Sequence, residues 1–347
     1  MSMVWECGNN FEKTKDIKSE LVYGTLLQDA DFTVAIPVYG VSQTLSDTLK
    51  NVAELRKNSL NVQIIISDNK PDDDIGKLIH LIENAKLENV ALYTTNKSLG
   101  QYGNFNRCIE LTRTNYLAML HDDDLLVPNY YDLVERILPY LKEHPNIGLI
   151  QGKRINFITS PKLEETKKLR LYKVKRYYVT YVGYSAAEIP SCGMIFNKSA
   201  AILSGGFNDD YPASGDAFLA TQMAVKGYSY YKSRDVFGYY RIGNNISITS
   251  KICKEFIVED RKFEEDWAKT GLLENCYFKL FGRYFYSKNI DAKVLTFGKF
   301  NPELTIDNLD YLHIYKKYKK YGLTEMVHKV HGKVIACLIR LTGIRLL

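Results

Sequence analysis

The chain has 347 residues, 46% hydrophobic and 25% charged, which suits an ordinary packed core and excludes a wholly disordered chain. Net charge is +6, but residues 311–347 alone carry eight Lys/Arg against one Glu, so the remaining chain sums to about −1 and its ligand is not announced by a basic surface. Six scattered cysteines form no C-x-x-C pair, so neither a zinc site nor a dithiol-redox motif is suggested, and no run reaches the ~20 apolar residues of a membrane-spanning helix.

Four short apolar runs open the pattern: Phe32–Val38, Val62–Ile66, Val90–Tyr93 and Tyr116–Leu120. Their apolar residues are continuous rather than alternating, as in strands buried on both faces. Helical stripes fill the gaps. Leu45, Leu49, Val52 and Leu55 make the first, behind capping candidates Ser42 and Thr44. Ile75, Leu78, Ile79 and Ile82 make the second, and Phe105, Cys108, Ile109 and Leu111 the third, opened by Gly100 and Gly103. Alternation at this pace predicts right-handed βαβ units and a parallel sheet. Beyond Pro128 a helix follows on Tyr131, Val134, Ile137, Leu138 and Leu141, then a strand at 147–152. Residues 161–176 carry seven Lys/Arg against two Glu and read as a solvated loop or helix. Further strands are expected at 193–197 and 228–242, and helix from about 251 onward.

The segment with most chemical content is "YLAMLHDDDLLVP", residues 116–128. Three adjacent carboxylates repel one another, yet they follow a buried strand, and ligands of parallel α/β sheets sit beyond the strands' carboxyl ends. Carboxylates are hard oxygen ligands suited to Mg²⁺ or Mn²⁺, and a cation would relieve the repulsion and bridge to a diphosphate. The plainer alternative is an acidic turn capping the next helix. Asp68 ends the second strand and can accept a hydrogen bond from a base or ribose, or make a turn with Asn69; Asp72–Asp74 suit a helix N-terminus. Tyr39 ends the first strand, where its ring can stack on a base or simply pack. Asp216 heads a helix, as an N-terminal cap or a general base.

Taken in order, these pieces resemble family-2 glycosyltransferases of the GT-A fold over roughly residues 32–245. "VAIPVYG" is similar to the family's first strand, with Gly40 where Asn is usual. "IIISDNKPDD" resembles its acidic second-strand signature, with Ser67 in place of a common Asp. "NKSLGQYGNFNRCIELT" is similar to the Asn-rich helix start, and "LHDDDLLVP" to the DxD segment, with His121 where an Asp is frequent. "SGDAFLATQMAVKGY" resembles the Glu-Asp segment, with Gly215 replacing the Glu, and "YYRIGNNIS" the segment closing the domain.

The resemblance implies an α/β GT-A fold: a mostly parallel, Rossmann-like sheet flanked by helices, with a helical C-terminal extension. The chain is expected to divide into an N-terminal helical segment (1–31), a catalytic domain (32–250, with nucleotide-binding half 32–128 and acceptor-binding half 129–250) and a helical region with a basic tail (251–347). Pro37, Tyr39, Asp68, Asn104, Arg107 and Asp122 are implied to bind the nucleotide sugar, with Tyr39 and Asp68 at the base and Asp122 at the ribose. Asp123, assisted by Asp124, is implied to hold Mn²⁺ or Mg²⁺, and Asp216 to be the base of an inverting transfer. The donor is expected to be a UDP-sugar. The acceptor is expected to be a glycan or polyprenyl-diphosphate-linked acceptor in bacterial surface polysaccharide (O-antigen or capsule) synthesis.

The tail sets a separate expectation. Val327, Val330, Val334, Leu338 and Leu341 share one helical face, Lys329, Lys333 and Arg340 another, and "YKKYKKY" precedes them. This is the profile of a helix lying on an anionic membrane, or of a packed terminal helix with a basic outer face. No nucleic-acid module accompanies the charge. With scattered thiols and no leader-like opening, the expected location is the cytoplasm, or the inner face of the plasma membrane. Two other classes compete: a non-catalytic sugar-nucleotide-binding protein of the same fold, kept open by Gly40, His121 and Gly215, and a nucleotidyltransferase, disfavoured because "PVYGVSQT" lacks a basic residue.

Overall fold

In the computed structural model, residues 8–56, 58–71, 74–174, 191–242 and 249–269 are described, with short stretches between 275 and 305. The chain divides into two compact units, residues 7–176 with 189–243, and residues 1–6, 177–188 and 244–347. The larger unit contains the sheet.

Four expected strands form where the apolar runs lie: β2 (Phe32–Val38), β3 (Val62–Asp68), β4 (Val90–Thr95) and β5 (Tyr116–Met119). Every residue of β2, β3 and β5 is buried, which is why their sequences do not alternate. They pair in parallel in the order β4-β3-β2-β5. The connecting helices are α1 (Leu45–Glu54), α2 (Ile75–Asn84) and α3 (Gln101–Leu111). Leu45, Leu49 and Val52 of α1 and Leu78 and Ile82 of α2 are buried, so each helix lays its apolar stripe into the core. Ser42, rather than Thr44, caps α1: its Oγ accepts from the Leu45 N–H at 3.1 Å.

Beyond β5 the sheet becomes mixed. It continues through β9 (Ile195–Asn197), β7 (Ile147–Phe157), β10 (Ser229–Arg241) and the two-residue β6 (Leu125–Leu126), while β8 (Leu171–Val174) pairs with β10. β9 is antiparallel to both β5 and β7, and β7 is parallel to β10. Six of the ten strands formed by the described residues, β2–β5, β7 and β10, therefore point the same way. Helices α4 (Tyr130–Glu143), α5 (Lys198–Leu203) and α6 (Gly215–Val225) belong to this half. In the smaller unit, α7 spans Ser250–Ala268. No helix among the described residues is long and apolar enough to cross a membrane. Asp72, Asp73 and the tail 311–347 lie outside the described residues.

One expectation is corrected. The described part of 1–31 is not a helical segment: a single 3-10 turn (Asn10–Thr14) leads into strand β1 (Ser19–Gly24), antiparallel to β4 at the sheet edge. The open edge of β4 is a stronger attractor than the weak helical tendency of "SELVYG", because each residue that pairs satisfies backbone groups. The turn is held by Asn10, whose backbone N–H and Nδ2 both donate to the Gly205 carbonyl at 3.0 Å. In the basic stretch, 161–170 carries no regular structure, and β8 follows where no strand was expected.

Candidate active site

The parallel strands bring their carboxyl ends to one side of the sheet, where β2 and β3 deliver Tyr39 and Asp68. Asp68 is 1% exposed, and its Oδ1 accepts from the N–H groups of Gly40 at 2.9 Å and Lys70 at 3.1 Å. Gly40 has φ +68°, a left-handed conformation that glycine and asparagine adopt most readily, which accounts for Gly where Asn is usual. The turn leaves the Tyr39 ring 64% exposed. Pro37 is buried in β2, in register with Ser67.

Two of the expected donor contacts are engaged elsewhere. The Nδ2 of Asn104 donates to the carbonyls of Val38 at 3.2 Å and Ser67 at 2.9 Å, and its Oδ1 accepts from Ser67 Oγ at 2.7 Å. Asn104 therefore ties α3 to the ends of β2 and β3. Arg107 bonds Glu110 at 2.9 Å, the Thr14 carbonyl at 2.9 Å and the Ser19 hydroxyl. Its guanidinium anchors the N-terminal segment, and none of these three contacts is to the acidic cluster.

β5 ends at Met119, and Leu120 leads into His121, Asp122, Asp123 and Asp124. His121, Asp123 and Asp124 each offer one ligand atom, and these atoms lie within 4.8 Å of one another. Asp122 is half-buried beside them and outside this group. A tight turn, closed by Asp124 N–H donating to the His121 carbonyl at 3.2 Å, folds the carboxylates together. Arg241 at the end of β10 holds the turn: its backbone N–H donates to Asp124 Oδ1 at 3.1 Å and its Nε to the Asp123 carbonyl at 2.9 Å. Its other nitrogens reach the Thr159 carbonyl and Asp47.

The electrostatics of this turn are adverse without a cation. Burial, and then the charge of Asp123, lifts the Asp124 carboxyl to about 7. Burial also raises Asp123, with Asp122 adding to the rise and His121 opposing it. Burial disfavours the charged form of His121, but Asp124, Asp216, Asp123 and Asp122 together outweigh it and raise the imidazole. Asp124 is fully buried, and its Oδ2 has no hydrogen-bond partner among the described residues. A buried, unpartnered carboxylate oxygen is costly unless something positive meets it. Two carboxylates and an imidazole within ligating reach are a donor set that a divalent cation fits.

Asp216 lies in the first turn of α6. Its Oδ2 accepts from the Ser191 N–H at 3.2 Å, and the Ser191 hydroxyl bonds His121 Nε2 at 3.1 Å. One residue thus links the acidic turn to Asp216. Burial raises the Asp216 carboxyl, with His121 and Ser191 pulling the other way. Beside it, Tyr102 occupies the space that a side chain at 215 would need: a Cβ on Gly215 would lie 2.3 Å from Tyr102 Cζ. Tyr102 Oη accepts from the Gly215 N–H at 3.1 Å and donates to the Pro212 carbonyl at 2.8 Å.

Reasoning from sequence missed Ser191, Arg241 and His121 as members of the site. His121 carried a signal, since it adjoins the acidic triplet. Arg241 lay inside a recognised segment. Ser191 carried none.

A family model described as glycosyl transferase family 2 matches residues 33–202. The minor teichoic acid biosynthesis protein GgaB of Bacillus subtilis (strain 168) is 21% identical over 238 residues, 65% of this chain and 25% of GgaB. The chain thus spans about a quarter of that relative's length. Among solved structures, the mannosyltransferase PcManGT from Pyrobaculum calidifontis, in complex with GDP-Man and Mn²⁺, superposes with a TM-score of 0.52 at 14% identity, covering 96% of this chain and 93% of its own. Residues 1–349 of S. aureus TarS in complex with UDP-GlcNAc give 0.50 at 11% identity, covering 84% and 92%. At these identities the likeness is one of fold.

Proposed function

Residues 33–202 of this chain belong to glycosyl transferase family 2, and on that premise we propose that the protein is an inverting glycosyltransferase that moves a sugar from a nucleoside-diphosphate donor to a hydroxyl of a glycan acceptor. The observation that carries this reading is the buried Asp124 Oδ2, unpartnered among the described residues and grouped with His121 and Asp123 at the end of β5.

Asp123 and Asp124, with His121 in the same group, would hold Mn²⁺ or Mg²⁺. A divalent ion there offsets the negative charge that grows on a departing nucleoside diphosphate, a contribution of several kcal/mol in a water-poor cleft. Tyr39 stacks on the base, Asp68 accepts from it, and Asp122 contacts the ribose. Asp216 removes the acceptor hydroxyl proton, a task typically contributing ~10²–10⁴ in rate. Its raised proton affinity, caused first by burial, suits it to that role. In-line attack from the face opposite the diphosphate inverts the anomeric centre.

The donor is a UDP-sugar and the acceptor a cell-surface glycopolymer or its polyprenyl-diphosphate-linked precursor. GgaB is a teichoic acid biosynthesis protein, which supports a surface polymer. The basic tail 311–347 brings the enzyme to an anionic membrane on the cytoplasmic side. The test is release of nucleoside diphosphate from a panel of nucleotide sugars with Mn²⁺. The wild type should turn over at least one donor and Asp123→Ala none. A chain that binds donors and releases nothing, with or without glycan acceptors, would be a binding protein instead.

A further inference from the structure

Beside the two carboxylates of the cation centre proposed above lies a ring nitrogen of His121, within 4.8 Å of their ligand atoms. We propose that His121 is a direct ligand of the bound cation and makes the centre select Mn²⁺ and softer divalent ions over Mg²⁺, with Ser191 as the residue that positions the ring. This inference rests on the reading that the cluster binds a cation.

The geometry supports it in three ways. First, the group within mutual ligating reach is His121, Asp123 and Asp124; Asp122, the third carboxylate of the triplet, is not part of it. Second, the ring is held. Its Nε2 bonds the Ser191 hydroxyl at 3.1 Å, and the ring makes a tilted contact with Phe105, with centroids 5.2 Å apart and planes at 38°. Engagement of Nε2 leaves Nδ1 as the ring nitrogen available to a cation. Third, Ser191 is itself fixed by its N–H bond to Asp216. Metal-ligating imidazoles characteristically have their other nitrogen held in this way, which sets the ring's orientation and basicity.

Donor chemistry then sets the preference. Mg²⁺ demands oxygen ligands and gives up its waters reluctantly, whereas an imidazole nitrogen suits transition ions. Charge points the same way. Two carboxylates balance one divalent ion, while a third in place of His121 would leave the centre negative and repel an incoming diphosphate.

The test uses the full-length chain and the metal alone. Mn²⁺ is titrated and observed by electron paramagnetic resonance, with Mg²⁺ as competitor. Pulsed spectra of the bound ion should show ¹⁴N modulation from a directly coordinated imidazole. His121→Gln, which keeps a polar group for Ser191, should lose the modulation, and His121→Asp should lose it and narrow the preference for Mn²⁺ over Mg²⁺. Ser191→Ala, which retains the backbone N–H to Asp216, should weaken Mn²⁺ binding ~10–100-fold. Bound Mn²⁺ without nitrogen modulation, or an unchanged Mn²⁺/Mg²⁺ ratio in His121→Asp, overturns the assignment while leaving the cation site standing. A wild type that binds no Mn²⁺, or that Asp124→Asn leaves equally able to bind it, sinks the cation reading itself.

Discussion

Replacing Asp124 by Asn should stabilise the metal-free protein while removing its response to metal. Burial, then the neighbouring Asp123 charge, lifts the Asp124 carboxyl to about 7, against about 3.9 for an exposed aspartate. The folded chain therefore holds a proton that the unfolded chain has released between about pH 4 and 7, so stability falls as pH rises through that window. Each tenfold difference in proton affinity is about 1.4 kcal/mol, which puts the cost at pH 8 near ~2–4 kcal/mol. Asn has no charge to bury and can keep the Oδ1 bond from the Arg241 N–H. Denaturant unfolding with a chelator present should find the two proteins alike near pH 4 and the variant more stable at pH 8. Mn²⁺ at a hundred times its Kd should narrow or close the gap, because it adds ~2.7 kcal/mol to the wild type alone, and at a thousand times its Kd, where it adds ~4.1 kcal/mol, it should reverse the order. A variant less stable than wild type at pH 8 without metal, or a gap that does not change between pH 4 and 8, would refute the argument that this carboxylate is held at a loss for the sake of a cation.

Asp216→Asn should lower transfer ~10²–10⁴-fold and leave Mn²⁺ affinity unchanged. In the wild type, burial raises the Asp216 carboxyl, so the pH–rate profile should lose activity on the acid side at a higher pH than an ordinary carboxylate would dictate, and this limb should vanish in the Asn variant. Gly215→Ala places a methyl 2.3 Å from the Tyr102 ring and should destabilise the protein by ~1–3 kcal/mol in denaturant unfolding; an unchanged midpoint would show that the ring yields freely. Exchanging Lys316, Lys317, Lys319 and Lys320 for Gln should reduce co-sedimentation with anionic vesicles, and equal binding would dismiss the membrane role of the tail.

The parallel half of the sheet was legible because β2, β3 and β5 are covered on both faces, and continuous apolar runs admit few other placements. β1, β6 and β8 were not. β1 is a mostly exposed edge strand, β6 is two residues long, and each strand exists because a neighbour offers an unpaired edge. In the site, Asp123 and Asp124 were legible from their place after β5, since chain order puts them there whatever the side chains do. The side-chain partners of Asn104 and Arg107 were not legible, for the converse reason. A motif locates a residue on α3 but not the direction its side chain takes, and theirs run to the β2–β3 ends and to the N-terminal segment. Ser191 reaches the site only through the packing of its segment against α6, which no local pattern encodes.

Anomalous diffraction at the manganese edge, from crystals grown with Mn²⁺ and a nucleoside diphosphate, addresses the heart of the account. It should reveal a single strong peak in contact with Asp123 and Asp124 and with the diphosphate oxygens. A well-ordered diphosphate with no manganese beside Asp124 would contradict it.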